Sequence, residues 1–240
     1  MKRITLWLAV SLLTFTLGVA AVVLYFTRPA LNDFPPSTLK QGTLAEPVPP
    51  SCFPGLSRKI DKLDTPSYFP PGTTNPKPEH EKFVIEWYTK HLKAMGEQSL
   101  FSQPDPQVES YRFLWLRSFH HPVAVRVWRT GDGQFLNVKQ TSGMGGYEPG
   151  KLIANKTRQL TIMEWDDFVA LLDRGCYWQL PSENDDMGSD GAQWILEGRR
   201  EGRYHVVDRW SPQSGDFRET CLYLLRLSKL GIDLSGKDVY

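Results

Sequence analysis

The pattern of apolar and polar positions divides the chain into three parts. Residues 4–26 form an uncharged, apolar run of 23 residues. At 1.5 Å per residue this spans roughly 30 Å of hydrocarbon, and it exceeds the apolar core of a cleaved signal peptide. Helical spacing appears from Glu81 to Met95, where Val84, Tyr88, Leu92 and Met95 share one face and Gly96 supplies a stop. Residues 111–117 and 123–128 are rich in β-branched and aromatic side chains and predict strands. Thr130-Gly131-Asp132-Gly133 predicts a hairpin turn into a further strand over 134–141.

The next helix is the best punctuated: Thr161 and Glu164 form a capping box, Leu160 can staple onto Trp165, and Gly175 stands just past the last turn. A second hairpin follows, with strands over 192–197 and 203–210 and a turn near 199–202. This register sets Glu197 opposite Tyr204 and His205 opposite Leu196. Asp216 and Glu219 cap a last helix running to about Lys229. Strands follow one another more often than they alternate with helices, so the pattern predicts an α+β fold, an antiparallel sheet with helices packed on it, preceded by one transmembrane helix. The expected layout is a cytoplasmic tail over 1–3, a signal anchor over 4–26, a stalk over 27–78 and a globular domain over 79–240.

Composition sharpens the middle of this layout. Twelve of the 18 prolines fall within residues 27–78, which excludes long helices and central strands there and reads as a semi-extended spacer. Lys2 and Arg3 precede the apolar run, so the positive-inside rule leans the amino terminus towards the cytoplasm and the remaining mass outside it. The whole chain carries 28 basic and 27 acidic residues, a balance that excludes a nucleic-acid partner held by bulk charge. Three cysteines, Cys52, Cys176 and Cys221, are too few for a disulfide scaffold. Outside the cytoplasm Cys176 and Cys221 could pair and leave Cys52 over, although Cys221 also reads as a small apolar filler within the last helix.

Several motifs carry candidate chemistry. Gly145 to Lys151 imitates a phosphate-binding loop, but Leu152 lacks the hydroxyl that Mg²⁺ needs and no capped helix begins there. Asp186, Asp190 and Glu197 reproduce much of a calcium-loop spacing, with Gly188 in place of one oxygen donor, so the chain offers a possible calcium site and otherwise no cofactor motif. Glu197, Tyr204 and Asp208 form an acid–tyrosine–acid row that would suit proton transfer, or an ordinary solvated sheet face. His120 and His121 are adjacent and would point to opposite faces of a strand, which denies them a shared metal. His205 reads as a hydrogen-bonded, half-buried core histidine. The seven tryptophans beyond the apolar run read mainly as core, with an exposed subset available as a binding platform. Asn155-Lys156-Thr157 is a glycosylation sequon.

The segments Gly191-Ala-Gln-Trp-Ile-Leu-Glu-Gly198 and Tyr204-His-Val-Val-Asp-Arg-Trp-Ser-Pro212, with Ser118-Phe-His-His-Pro-Val123, resemble a group of bacterial proteins over about residues 80–230. The resemblance implies a bacterial setting and brings no catalytic residues with it. The expected function is a single-pass membrane protein, in the bilayer through residues 4–26, that presents its domain to an envelope protein or polymer. The alternative is a membrane-anchored hydrolase acting on an envelope polymer. A transferase of anchor-and-stem type shares the layout, but its domain would be small at about 160 residues and no oxygen-donor metal motif of the required kind stands out.

Overall fold

A computed structural model describes residues 52, 58–59, 67–73, 78–102, 105, 107–182, 188, 190–234 and 239–240. The apolar run, the tail before it and most of the proline-rich segment lie outside the described residues, as does Asp186. Among the described residues no helix is long and apolar enough to cross a membrane. The elements in chain order are β1 (Arg58–Lys59), α1 (Pro78–Ala94), β2 (Glu109–Arg117), β3 (Val123–Thr130), β4 (Gly133–Thr141), β5 (Leu152–Gln159), α2 (Ile162–Arg174), β6 (Ala192–Arg200), β7 (Arg203–Trp210) and α3 (Asp216–Ser228). All strand pairs are antiparallel, in the order β1-β7-β6-β2-β3-β4-β5. The fold is α+β.

β2 is buried along its whole length because each of its faces meets a different layer. Tyr111, Phe113 and Trp115 point with Val125, Val127, Trp194 and Leu196 into a core closed by α2 and α3. Leu114 and Leu116 point the other way, with Ala124, Ile195 and Val206, and meet Tyr88 and Leu92 of α1 and Met95 just beyond it. The helical face expected on α1 is therefore the one that packs. Trp115, Trp165, Trp178 and Trp194 are fully buried, as expected of core tryptophans. β5 was not expected. It is an edge strand exposed along most of its length, so Asn155, Lys156, Thr157 and Arg158 carry no burial pattern, and its lysine and arginine discourage further strand pairing.

The local punctuation holds where side chains make it. Glu164 N–H donates to Thr161 Oγ1 (3.1 Å) and Thr161 N–H to Glu164 Oε2 (2.9 Å), closing the capping box. The last helix differs: its cap is Gly215, without a side-chain bond, while Asp216 pairs with Arg174 across to α2 (2.6 Å). The second hairpin also differs. Its turn is the two residues Glu201 and Gly202, both with positive φ, so Glu197 pairs with Val206, Leu196 with Val207, and His205 with Gly198. The register runs two residues beyond the expected one, and an even shift leaves every side chain on its expected face.

Of the two readings left open for Cys221, pairing with Cys176 does not occur and the apolar filler does. Cys176 bonds to Cys52, 124 residues away in sequence, and Cys221 is free and buried in α3 against the core. Part of the proline-rich segment thus belongs to the domain. Cys52 and Phe69 are buried there, β1 pairs with β7, and the Tyr68 hydroxyl donates to the Glu97 carbonyl (2.7 Å). Alkylation of the denatured, unreduced protein should accordingly label one cysteine, Cys221, and label three after reduction. Cys52→Ser should lower stability by about 2–4 kcal/mol, read from urea midpoints.

Candidate functional site

The structure brings Glu197 and Tyr204 together, but inside a packed layer. Arg112 and Glu197 are cross-strand neighbours on β2 and β6, and both side chains have no exposed surface. Arg112 Nε and Nη2 donate to Glu197 Oε2 (2.8 and 2.5 Å), and the Tyr204 hydroxyl donates to Oε1 (2.8 Å). Arg112 Nη1 reaches on to the Gln98 carbonyl (2.6 Å) and to Glu97 Oε2 (3.3 Å). Glu97 also meets Lys139 (2.7 Å) and Arg126 (3.5 Å). Asp208 stands apart from this network and accepts from the Tyr88 hydroxyl of α1 (2.5 Å). The row is therefore not a solvated sheet face.

Burial pushes the Glu197 carboxyl above its ordinary range, against the pull of Arg112 and the Tyr204 hydroxyl. Burial pushes Glu97 the same way, but Arg112, Arg126 and Lys139 outweigh it and hold the carboxyl below that range. Burial, then Glu197, raises the Tyr204 phenol well above its usual value. A carboxylate without exposure, with both oxygens occupied, has no path to a substrate proton. A cavity of about 120 Å³ beside Pro70, Thr73, Ser182 and His205 reaches Tyr204, but neither Glu197 nor Asp208 lines it.

Of the calcium candidates, Asp186 lies outside the described residues, and Asp190 and Glu197 are not brought together. Asp190 is exposed before β6, whereas Glu197 lies five residues into that strand, about 17 Å along it. Among the described residues no group of three His, Cys, Asp or Glu side chains is placed to hold a metal. His120 Nδ1 lies 2.9 Å from the Tyr240 hydroxyl and His121 Nδ1 lies 2.9 Å from the Gly143 carbonyl, so the two imidazoles serve separate loops. His205 is buried more completely than expected and bonds the Leu180 carbonyl through Nε2 (3.0 Å). Asn155 and Thr157 of the sequon both accept from Asn137 Nδ2 (2.8 Å each).

The glycine loop has a different use from the one its letters imitate. After Lys151 the chain enters β5 rather than a helix. Gly143 N–H donates to the Pro149 carbonyl and Met144 N–H to that of Glu148, zipping the loop shut (2.9 and 3.0 Å). A Cβ on Gly145 would stand 2.6 Å from the backbone of Arg117, so only glycine lets the loop lie against the end of β2. Gly145 N–H donates to the His120 carbonyl (3.0 Å) and Gly146 N–H to that of Ser118 (3.3 Å).

This docking builds a surface that the strand and helix patterns did not announce. The Trp87 indole N–H donates to the Gly145 carbonyl (3.0 Å), joining α1 to the loop. Between them runs a groove of about 420 Å³ lined by Phe83, Glu86, Trp87, Lys90 and Gly146. Phe83 is 67% exposed, and Tyr147 and Phe119, with ring centroids 6.3 Å apart, are 58% and 51% exposed beside Met144. Lys90 pairs with Glu148 (3.0 Å) across the groove. Underneath, His91 is wholly buried, and neither ring nitrogen makes a well-aligned hydrogen bond. Burial, then the Lys90 charge, lowers its pKa to about 4. The signal for this surface was available: Phe83, Trp87 and His91 repeat at four-residue spacing, one position behind the packing stripe.

No protein-family model, curated protein or solved structure matches the chain.

Two outcomes follow from these environments. Glu197→Ala leaves Arg112 buried without its partner and should cost about 3–5 kcal/mol, measured by urea denaturation. His91 and His205 both have pKa values lowered to about 4, in each case chiefly by burial. The unfolded chain takes up these protons near pH 6.5. Stability should therefore be intact above pH 6.5, fall as the pH drops from 6.5 to 4, and lose on the order of 3 kcal/mol per imidazole across that window. A series of urea midpoints against pH tests this, and His91→Leu should flatten the slope.

Proposed function

We propose that the protein is a membrane-anchored binding or assembly module of the bacterial envelope, with the groove between α1 and the 143–150 loop as its docking surface. The observation that carries the reading is the exposure of aromatic side chains on both sides: Phe83, in ring contact with Trp87 in the groove, and the Phe119–Tyr147 pair, with Tyr147 next to the groove residue Gly146. Exposed aromatic and methionine side chains in one patch are characteristic of the centres of protein interfaces. The carboxylates available for hydrolysis point the other way in chemical terms, since Glu197 is committed to Arg112 and Tyr204. Residues 4–26 hold the protein in the bilayer, and a disulfide such as Cys52–Cys176 supports placing the domain in an oxidising compartment. The partner is an envelope component within reach of the tether.

Site-specific photo-crosslinking in cells tests this. A crosslinker at Phe83 or Tyr147 should give discrete adducts that Trp87→Ala removes, while one at Ile162, equally exposed on α2, should give none. Equal labelling from positions 83 and 162 would sink the docking reading. Loss of cellular function on Glu197→Gln at unchanged stability would instead favour the hydrolase.

A further inference from the structure

The 143–150 loop is bonded mostly to itself. Ser142 N–H donates to the Lys151 carbonyl, Gly143 to Pro149, Met144 to Glu148 and Tyr147 to Met144 (2.8–3.0 Å), so it keeps its shape without the rest of the domain. At its base the β4–β5 ladder shifts register between Gln140 and Thr141, a break at which a strand pair bends. Its outward ties are short-range: Gly145 and Gly146 N–H on the His120 and Ser118 carbonyls, the Trp87 indole on the Gly145 carbonyl, His121 Nδ1 beside the Gly143 carbonyl, and Lys90 on Glu148. Met144 and Tyr147 are about half exposed, so little apolar area presses the loop down. α1 opposite is fixed by its packed stripe and by the Glu97–Arg112 pair just beyond it.

His91 of α1 lies under this loop with no exposed surface, against the backbone of Gly145 and Tyr147. Neither ring nitrogen has an aligned partner, so the ring lacks the hydrogen bonds that water would give it. The charged groups acting on it are Lys90 of its own helix, which opposes a second charge, and Glu148 of the loop, which favours one. At the end of β2, Arg117 is engaged over the Trp115 ring (4.0 Å) and His120 with the Tyr240 hydroxyl (2.9 Å). We infer that the 143–150 loop is an acid-operated flap: protonation of His91 lifts it off α1 and parts the walls of the groove. The covered ring resists protonation down to about pH 4, chiefly through burial, whereas an uncovered ring takes its proton near pH 6.5. The flap is therefore fully held above pH 6.5, and the lifted form gains up to about tenfold per pH unit between 6.5 and 4. The flap stands without the docking reading above. Only its consequence, a groove that is whole at neutral pH and divided in acid, rests on that reading.

Residue-resolved hydrogen–deuterium exchange of the full-length protein tests the flap without any ligand, each amide's rate being divided by its intrinsic rate at the same pH. Gly145 and Gly146 report lifting, because their N–H groups bond outside the loop; amides of β3 report global unfolding. Protection of Gly145 and Gly146 should lie below that of β3 and fall about 25-fold from pH 7.5 to pH 5.0. His91→Leu should abolish that fall, whereas His205→Leu should leave it intact. Trp87→Phe, which removes one tie, should lower the protection of both glycines at every pH and keep the 25-fold fall. Protection independent of pH, a fall that survives His91→Leu, or glycine amides that exchange only as fast as those of β3 would each overturn the flap. All three leave the docking reading untouched, since the crosslinks that test it are read at neutral pH with the loop closed.

Discussion

The ion pair between Arg112 and Glu197, set side by side on the two central strands and sealed from water, governs one whole face of the sheet. A buried guanidinium must have every donor occupied, and the strands alone cannot do this. The remaining partners, Glu97 and the Gln98 carbonyl, come from the segment just after α1. That segment is in turn held by Lys139 and Arg126 from the next strands. The end of α1 is thereby tied to β2, β3 and β4 at once, and its apolar stripe is laid over Leu114, Ile195 and Val206. The opposite face needs no such device. There aromatic rings pack with α2 and α3 by area and shape, and their polar tips find local partners, as the Tyr111 hydroxyl does on Glu109 and the Trp194 indole on the Tyr240 carbonyl.

The groove is a by-product of that same placement. Once α1 is fixed, Trp87 projects from its side towards the end of β2, and the glycine loop closes the gap because three of its glycines can touch backbone where a side chain could not. Rigid elements on both walls suit a surface that recognises by complementarity. Preorganisation of this kind lowers the ordering cost of association, so a modest apolar patch suffices for useful affinity.

Much of this architecture was legible from local pattern. The capping box at Thr161, the stripe of Tyr88, Leu92 and Met95, and the tight Gly131-Asp132 turn are each determined within a few residues, and each is found. Features that depend on distant residues were not. β5 gave no signal because an exposed edge strand has no buried face to write an alternation. The hairpin at Glu201-Gly202 slipped by two residues because a turn with a non-glycine residue at positive φ looks longer in sequence than it is. Glu197, Tyr204 and Asp208 were found as a row on one face, but their burial follows from α1 and from Glu97, about 100 residues earlier. Likewise Cys52 sits among prolines that suggest a free spacer, and only the tertiary structure returns it to Cys176.

That bond makes the stretch from Cys52 to Cys176 a covalent ring, and both walls of the groove lie within it: α1 at 78–94 and the glycine loop at 143–150. A protease that nicks the exposed Gly131-Asp132 turn, or the loop itself, opens the ring without separating its pieces. A cut before Cys52 has a different effect: on the membrane tether proposed above, it would shed the domain with the ring, and therefore the groove, complete. On that proposal the same surface persists in either form, tethered or released.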